Sequence, residues 1–163
     1  MTGNNLQRMI RLADEFFEAK NDPDQISVNE GVMEHLRKLH PATLTEKTDD
    51  NGPVAWILVF PTTHELMEKF VLGNINEREL PTNTPSGISY EAVYLCSALV
   101  LPEFRGRGLA RSLTTGAVKS IQRDHPVRHL FTWAFSTEGE HLASSVAREL
   151  GLPLLQRAPG RSS

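Results

Sequence analysis

The sequence is poor in the features that define several classes of protein. Its 163 residues include a single cysteine, Cys96, so no disulfide can form within the chain and a small cross-linked secreted scaffold is excluded. No apolar run approaches the ~20 residues that cross a bilayer. The first 20 residues contain three carboxylates and lack the apolar core of a signal peptide. We therefore expect a cytoplasmic protein with no membrane partner.

The chain also lacks a strong excess of charge of one sign. It carries 17 basic and 20 acidic side chains, a formal net charge of −3, whereas proteins that coat nucleic acid are strongly basic. Residues 1–100 carry −7 and residues 101–163 carry +4, and the positive charge is concentrated within residues 101–130. We therefore expect no nucleic-acid partner, and a local site for an anion in the second half of the chain.

Length and composition are those of one foldable domain. The chain is 39% hydrophobic and 23% charged, in the usual range for a globular protein. Neither a repeat nor a change of composition marks a boundary, so we expect one domain over residues 1–163 with a frayed tail at 159–163. A homodimer is left open.

Hydrophobic periodicity predicts the elements of the first 60 residues. Apolar residues at three- and four-residue steps predict two helices before Pro41, the second opened by a capping box of Ser27 and Glu30. Turn residues ending in Gly52 then separate a Thr-rich stretch from an apolar run that ends at Phe60. This pattern predicts an antiparallel hairpin.

The second part of the chain alternates helix and strand patterns. Residues 90–101 are almost continuously apolar, which is typical of a central strand that is buried on both faces. Thr137 and Glu140 have the spacing of a second capping box. The remaining predicted elements are a short helix at 64–72, a loop at 73–89, a helix from Leu109 past Ile121, a strand at 127–135, a helix at 137–150 and a last strand at 152–156.

A glycine-rich turn joins the central strand to the next helix. In Arg105-Gly-Arg-Gly108 the glycines allow close approach to the backbone, whose N–H groups at a helix start attract an anion. Both arginines add positive charge. The turn lacks the Gly-Lys-Ser/Thr of a nucleotide-triphosphate loop, and Arg111 stands where the dinucleotide fingerprint needs Gly or Ala. A diphosphate fits this turn, but neither common nucleotide motif does.

The segment from Leu99 to Leu113 resembles the acyl-CoA-binding signature of the GNAT superfamily of N-acyltransferases. That signature, Arg/Gln-x-x-Gly-x-Gly/Ala at a helix start, is here Arg105-x-x-Gly108-x-Ala110. The resemblance is specific over residues 98–119 and consistent in the order of elements elsewhere. It implies a single α/β domain of the α+β type, with a mixed, mostly antiparallel sheet flanked by helices and splayed beside the central strand to admit CoA.

The same resemblance implies an activity and its cofactor. The protein is expected to transfer an acyl group, acetyl above all, from acetyl-CoA to a primary amine by direct attack in a ternary complex, without a metal. It implies that backbone groups of Leu99, Val100 and Leu101 pair with the pantetheine arm and that one such N–H, with Leu101 as the candidate, polarises the thioester carbonyl. The residues that it assigns to CoA binding are Leu99, Val100, Leu101, Arg105, Gly106, Arg107, Gly108, Leu109 and Ala110.

The groups that would move protons are not given by the resemblance. Glu91, at the start of the central strand, is a candidate general base, and Tyr94 is a candidate proton donor, although an exposed Glu and a packed Tyr are alternative interpretations. Cys96 is taken as a core residue. Many members of the superfamily carry a Tyr in the last helix at the position of Ala147. Its absence leaves open an alternative, a catalytically inactive module that binds acyl-CoA or another protein.

Overall fold

The computed structural model describes residues 4–20, 30–134 and 136–157, so the predicted cap at Ser27 and the tail at 159–163 lie outside it. Helices and strands follow one another in the predicted order. In chain order they are α1 (Asn4–Lys20), α2 (Glu30–Leu39), β1 (Leu44–Asp49), β2 (Gly52–Thr62), α3 (His64–Val71), α4 (Glu79–Asn83), β3 (Ala92–Val100), α5 (Leu109–Asp124), β4 (His129–Thr132), α6 (Thr137–Leu150) and β5 (Leu154–Gln156).

The five strands form one mixed sheet in the order β1-β2-β3-β4-β5. β1 pairs antiparallel with β2, and β2 antiparallel with β3, in a ladder from Thr62↔Ala92 to Ala55↔Val100. β3 pairs parallel with β4, and β4 parallel with β5. The antiparallel ladders are the longer ones. This arrangement confirms the predicted α/β class, with β3 as the central strand.

Helices cover both faces of the sheet. We call the face of Phe60, Tyr94 and Phe131 the front face, and α2, α3 and α4 pack against it. The back face, which includes Val59 and Leu95, is covered by α5 and α6. α1 packs through Met9 against the ends of β2 and β3, beside residues 99–101. The sheet is therefore the middle of three layers.

An aromatic cluster forms the centre of the front core. The ring of Tyr94 lies 5.3 Å from that of Phe60, 5.1 Å from Phe70 and 5.0 Å from Phe131, in tilted and edge-on arrangements. All four side chains have almost no exposed surface. Edge-on and tilted ring contacts add to the free energy gained by burial of the rings. The cluster ties α3 to the three central strands.

A β-bulge divides β3 into two halves. Leu58 pairs with Ser97 and Val59 pairs with Leu95, so Cys96 is an extra residue on β3. The parallel ladder with β4 stops at the same place, at Leu95↔Thr132. Beyond it β3 continues beside β2 alone. An opening, which we call the gap, thus begins at the bulge, and α5 and α6 both start at this open end of the sheet.

The structure differs from the sequence predictions in three local features. Part of the predicted loop at 73–89 is the short helix α4. The strand predicted at 127–135 is shorter, since only His129–Thr132 pair with neighbours. The cap of α6 is Ser136, whose Oγ accepts a hydrogen bond from Gly139 N at 3.0 Å, and not Thr137.

Within the described ranges, no helix is both long and apolar enough to cross a membrane.

Candidate active site

The glycine-rich turn adopts a backbone conformation that favours glycine. Gly106 has φ 79° and Gly108 has φ 74°, both left-handed. Gly108 is the residue that precedes α5, and no side chain caps this helix start. A Cβ at either glycine would meet nothing within 4 Å, so the space in front of the turn is open. The first N–H groups of α5 therefore face a position that suits an anion.

Three arginines are held around this turn. Arg105 Nε donates to Val100 O at 2.9 Å, which folds its side chain back over the end of β3. The guanidinium of Arg107 lies 5.4 Å from the centre of the Phe104 ring. Arg111 contacts Glu149 of α6 at 3.7 Å. The turn thus combines exposed positive charge with partly fixed side chains.

Backbone groups of β3 alternate in direction along the gap. Leu101 N donates to Val54 O at 2.9 Å. Because hydrogen-bonded and non-bonded pairs alternate in an antiparallel ladder, the N–H and C=O groups of Ala98 and Val100 point away from β2, toward the gap. The Leu101 N–H is therefore donated to β2 in this structure, whereas that of Val100, another of the residues expected to supply the thioester donor, lies on the side of the gap.

The front side of the bulge holds a buried carboxylate that the sequence did not reveal. Glu77, between α3 and α4, has no exposed surface. Its Oε2 accepts a hydrogen bond from the Tyr94 hydroxyl, and Cys96 Sγ lies 3.9 Å from the same oxygen. Residues 77, 94 and 96 form what we call the bulge cluster. In the sequence, the two-residue spacing of Tyr94 and Cys96 indicates that they share a strand face. No local pattern indicates that Glu77 joins them.

Tyr94 is placed as a hydrogen-bond donor to Glu77. Burial raises the pKa of the Tyr94 hydroxyl well above its usual range, and the nearby Glu77 carboxylate and Cys96 raise it further. The hydroxyl therefore stays protonated. Since it is fully buried and directed at Glu77, its proton serves that contact in this structure.

Glu91 lies at the other end of β3. It is exposed and precedes the strand, and its carbonyl oxygen accepts hydrogen bonds from the backbone N–H groups of Arg128 and His129. The nine residues of β3 separate it from the glycine-rich turn, a distance of roughly 30 Å along an extended strand. The structure therefore keeps Glu91 away from the glycine-rich turn, and it places Tyr94 within the ladder of β3 and β4, two residues before the bulge, with its hydroxyl buried against Glu77.

An arginine and two aromatic rings lie beside the bulge cluster. The Arg157 guanidinium carbon is 4.6 Å from the ring centre of Phe70 and 4.6 Å from that of Trp133. Arg157 N donates to Thr132 O at 3.0 Å, which continues the alignment of β4 and β5. Trp133 is the first residue after β4. Together with Cys96 on β3 it marks the point where the gap opens.

The position of Ala147 is filled by the back core. Its side chain is 5% exposed and packs with Val146 and Ala143 of α6 among the residues of the back face. No hydroxyl group is present at this position. Across residues 4–20, 30–134 and 136–157, no three His, Cys, Asp or Glu side chains converge as metal ligands.

No family model matches the chain, and no curated protein is significantly similar to it. Solved structures that resemble it include N-acetyltransferases. Naa20 of Chaetomium thermophilum, in complex with a bisubstrate analogue, is 16% identical over 78% of this chain, with a TM-score of 0.48. Aminoglycoside 6'-N-acetyltransferase AAC(6')-IG of Acinetobacter haemolyticus is 16% identical over 100% of this chain and 94% of its own, with a TM-score of 0.45.

A third similar structure is aminoglycoside N-acetyltransferase AAC(6')-Iy in complex with CoA. It is 17% identical over 83% of this chain and 96% of its own, with a TM-score of 0.43. The chain covers 60% of the length of Naa20. At these identities and TM-scores the likenesses decide nothing about function, and the fold assignment rests on the strand order, the bulge and the gap.

Proposed function

We propose that the protein is an acyl-CoA-dependent N-acyltransferase that transfers acetyl from acetyl-CoA to a primary amine. One observation carries the proposal: the left-handed glycine turn before α5 and the edge of β3 without a β4 partner face the same gap. The turn suits the diphosphate of CoA, and the strand edge suits the amides of its pantetheine arm. The sequence resemblance to the GNAT superfamily supports the same combination.

The residues proposed to hold CoA are those of the sequence prediction, with one change. The turn from Arg105 to Ala110 is proposed to hold the diphosphate, and Leu99 and Val100 to flank the pantetheine. The N–H groups of Ala98 and Val100 replace that of Leu101, because they point into the gap. One of them is proposed to donate to the thioester oxygen, where negative charge develops during attack.

The proposed reaction is direct. The amine nitrogen attacks the thioester carbonyl carbon, the C–S bond breaks, and CoA leaves as a thiolate that must receive a proton. Neither a covalent enzyme intermediate nor a metal enters this proposal. The acceptor is a primary amine, and aminoglycosides, named for two of the similar structures, belong in the set to be tested. The proposal includes a cytoplasmic location and leaves open whether the protein forms a homodimer.

Thermal unfolding with and without acetyl-CoA tests the proposed cofactor. A ligand at 100 times its Kd stabilises the folded state by about 2.7 kcal/mol, so we expect a clear rise in Tm. Gly108→Val should abolish this rise, because the side chain strains the turn and enters the anion position. Gly73→Val is the matched control: Gly73 has a similar φ of 83° with open space around it, on a different loop. Equal stabilisation of both variants would contradict the assignment of the turn.

A catalytically inactive acyl-CoA-binding module is the second candidate function. The alanine at position 147, where many superfamily members carry a Tyr, favours it. Release of free CoA thiol from acetyl-CoA in the presence of a panel of primary amines separates the two. Stabilisation by acetyl-CoA without thiol release would favour the module, whereas amine-dependent release identifies an enzyme.

A further inference from the structure

Helix α1 is fixed against the open end of the sheet by its first two turns. Asn5 Nδ2 donates a hydrogen bond to Asp49 Oδ1 at 3.0 Å, in the hairpin of β1 and β2. The fully buried Met9 packs in a cluster that also includes Phe104 and Leu109, which lie on the two sides of the glycine-rich turn. α1 therefore supports the segment that leads from β3 into α5.

An ion pair joins α1 to the same segment. Arg8 Nη1 donates to Glu103 Oε2 at 2.7 Å and Arg8 Nη2 donates to Glu103 Oε1 at 2.6 Å, so the guanidinium and the carboxylate meet through two parallel hydrogen bonds. Glu103 belongs to a single turn of 3-10 helix, Pro102–Phe104, that directly precedes Arg105. Among exposed ion pairs, bidentate pairs of arginine and carboxylate have the best-defined geometry.

Glu103 carries a negative charge beside the turn proposed to bind a diphosphate. The hydrogen bond from Arg8 lowers the pKa of Glu103 to about 2, and the charge of Arg107 contributes a smaller decrease. The carboxylate therefore stays ionised at neutral pH, within electrostatic range of an arginine of the glycine-rich turn. Without a partner it would repel a diphosphate and attract Arg107 away from it.

Resting on the proposed function, we propose that Arg8 is a positioning residue for acyl-CoA, which acts by neutralising Glu103 and so leaves Arg107 available to the diphosphate. Arg8 itself needs no contact with CoA. Glu149 of α6 is likewise paired near the turn, with Arg111 at 3.7 Å. A basic residue from the acidic first half of the chain thus sets the charge of a site that the second half provides.

A mechanical tether is the competing explanation. The ion pair could serve only to hold α1 against the turn. Loss of Arg8 or of Glu103 would then break the tether and weaken acyl-CoA binding equally, and loss of both would not restore it. In the electrostatic role, loss of Arg8 uncovers a repelling charge whereas loss of Glu103 removes that charge. The two explanations therefore differ in the effect of Glu103 variants and in the double variant.

Titration calorimetry with acetyl-CoA at low ionic strength, where screening is weakest, separates the two explanations. Arg8→Gln should raise the Kd about fivefold, because Glu103 then opposes the diphosphate. Glu103→Gln should lower the Kd or leave it within about twofold of the native value. The double variant should return to that same range, since no uncompensated carboxylate remains. Arg8→Lys keeps the charge without the bidentate geometry and should bind like the native chain.

Arg37→Gln is the matched control. Arg37 is an exposed arginine of α2, so its replacement removes the same charge from a different helix and should leave the Kd unchanged. Both side chains of the proposed pair are partly exposed, at 41% for Arg8 and 50% for Glu103, so we expect every variant to fold. Circular dichroism and the Tm without ligand verify this.

The outcomes distinguish the positioning role from the proposed function. If the native protein binds acetyl-CoA and Arg8→Gln and Glu103→Gln weaken binding equally, the pair is a tether and the positioning role is wrong, while the acyl-CoA assignment stands. A double variant that does not recover, or an unchanged Kd in Arg8→Gln, has the same meaning. Equal losses in Arg8→Gln and Arg37→Gln would reduce the effect to net charge and also overturn the role. If the native protein does not bind acetyl-CoA, the proposed function fails and the positioning role fails with it.

Turnover provides a second test. With an amine that the native protein acetylates, Arg8→Gln should raise the KM for acetyl-CoA about fivefold and leave kcat unchanged, because Glu103 adjoins the proposed diphosphate site and not the thioester. Glu103→Gln should change neither constant by more than about twofold. A fall in kcat at unchanged KM in Arg8→Gln would overturn the positioning role.

Discussion

The two ends of β3 differ in nearly every physical respect. At the narrow end, residues 92–95 have a strand on each side and large aromatic side chains on the front face. At the open end, beyond Cys96, the strand keeps only β2, and the chain turns through two left-handed glycines into α5. One strand thus provides stability in its first half and an accessible backbone in its second. The bulge separates the two tasks.

Polar groups at the narrow end are linked to one another. His40 is 4% exposed; its Nε2 lies 2.6 Å from Asp124 Oδ2, and its Nδ1 accepts a hydrogen bond from Ala42 N at 3.0 Å. The Tyr90 hydroxyl donates to Pro85 O at 2.6 Å. At the open end, by contrast, the N–H groups of the α5 start face open space. The proposed ligand site lies where the fold leaves donors available.

The largest expected loss of folding stability follows a change at the narrow end. Phe131→Ala removes a fully buried ring that contacts Tyr94 and Phe70, and a change of this kind costs about 3–5 kcal/mol. Ser97→Ala, just beyond the bulge on the open half, should cost less than about 0.5 kcal/mol. Urea unfolding of both variants measures the difference. Similar losses would mean that the aromatic core at the narrow end does not contribute more stability than the open half of β3.

An intermediate loss of folding stability is expected from a change at the start of α6, at the open end. Ser136→Ala removes the cap that accepts from Gly139 N and should cost about 1 kcal/mol. Thr137→Ala, one residue later on the same helix, should leave the unfolding midpoint nearly unchanged. The pair sharpens the comparison because both changes remove a hydroxyl at an exposed position. Equal effects would indicate that the capping contact contributes nothing.

The smallest expected effect is a pH dependence of folding stability that originates from His125 at the narrow end. Burial, and after it the neighbouring His40, lower the pKa of His125 below its usual range, with Asp124 opposing and Tyr90 packed against the ring. The unfolded chain therefore takes up this proton first as pH falls through about 6.5. The stability present at pH 7.5 should decrease by pH 5.5.

A histidine replacement isolates this contribution. His125→Asn removes the titrating group, so its urea midpoint should fall less between pH 7.5 and 5.5 than that of the native chain. His141→Asn, an exposed residue of α6, serves as the control and should keep the native pH dependence. If His125→Asn and His141→Asn behave alike, the decrease originates elsewhere in the molecule.

Local sequence patterns were sufficient for most of the fold. The helix periodicity from Leu6 to Phe16, the turn at Gly52 and the apolar run of β3 each reflect interactions between residues close in the chain. The glycine-rich turn was predictable for the same reason, because a left-handed backbone before a helix requires glycine. Such features need no knowledge of the distant partners in the fold.

The bulge cluster depends on contacts that no local pattern contains. Glu77 lies in a polar stretch that reads as a loop, and its burial arises only when that stretch packs on Tyr94 and Cys96. Glu91 lies inside the strand predicted at residues 90–101, where a cleft between strands would bury it, but β3 begins one residue later and leaves it exposed. The direction of the Leu101 N–H depends on its register with Val54, which a bulge shifts by one residue.

The alternation of the backbone beyond Cys96 has a consequence for hydrogen exchange. In a central strand all amides usually exchange slowly together, whereas here the amides of Leu99 and Leu101 face β2 and those of Ala98 and Val100 face the gap. Deuterium uptake should therefore alternate between slow and fast from one residue to the next. A ligand that lies along the gap would remove this alternation and make all amides of the strand exchange slowly. The exchange rates of Ala98 and Val100 would therefore show whether the gap is occupied.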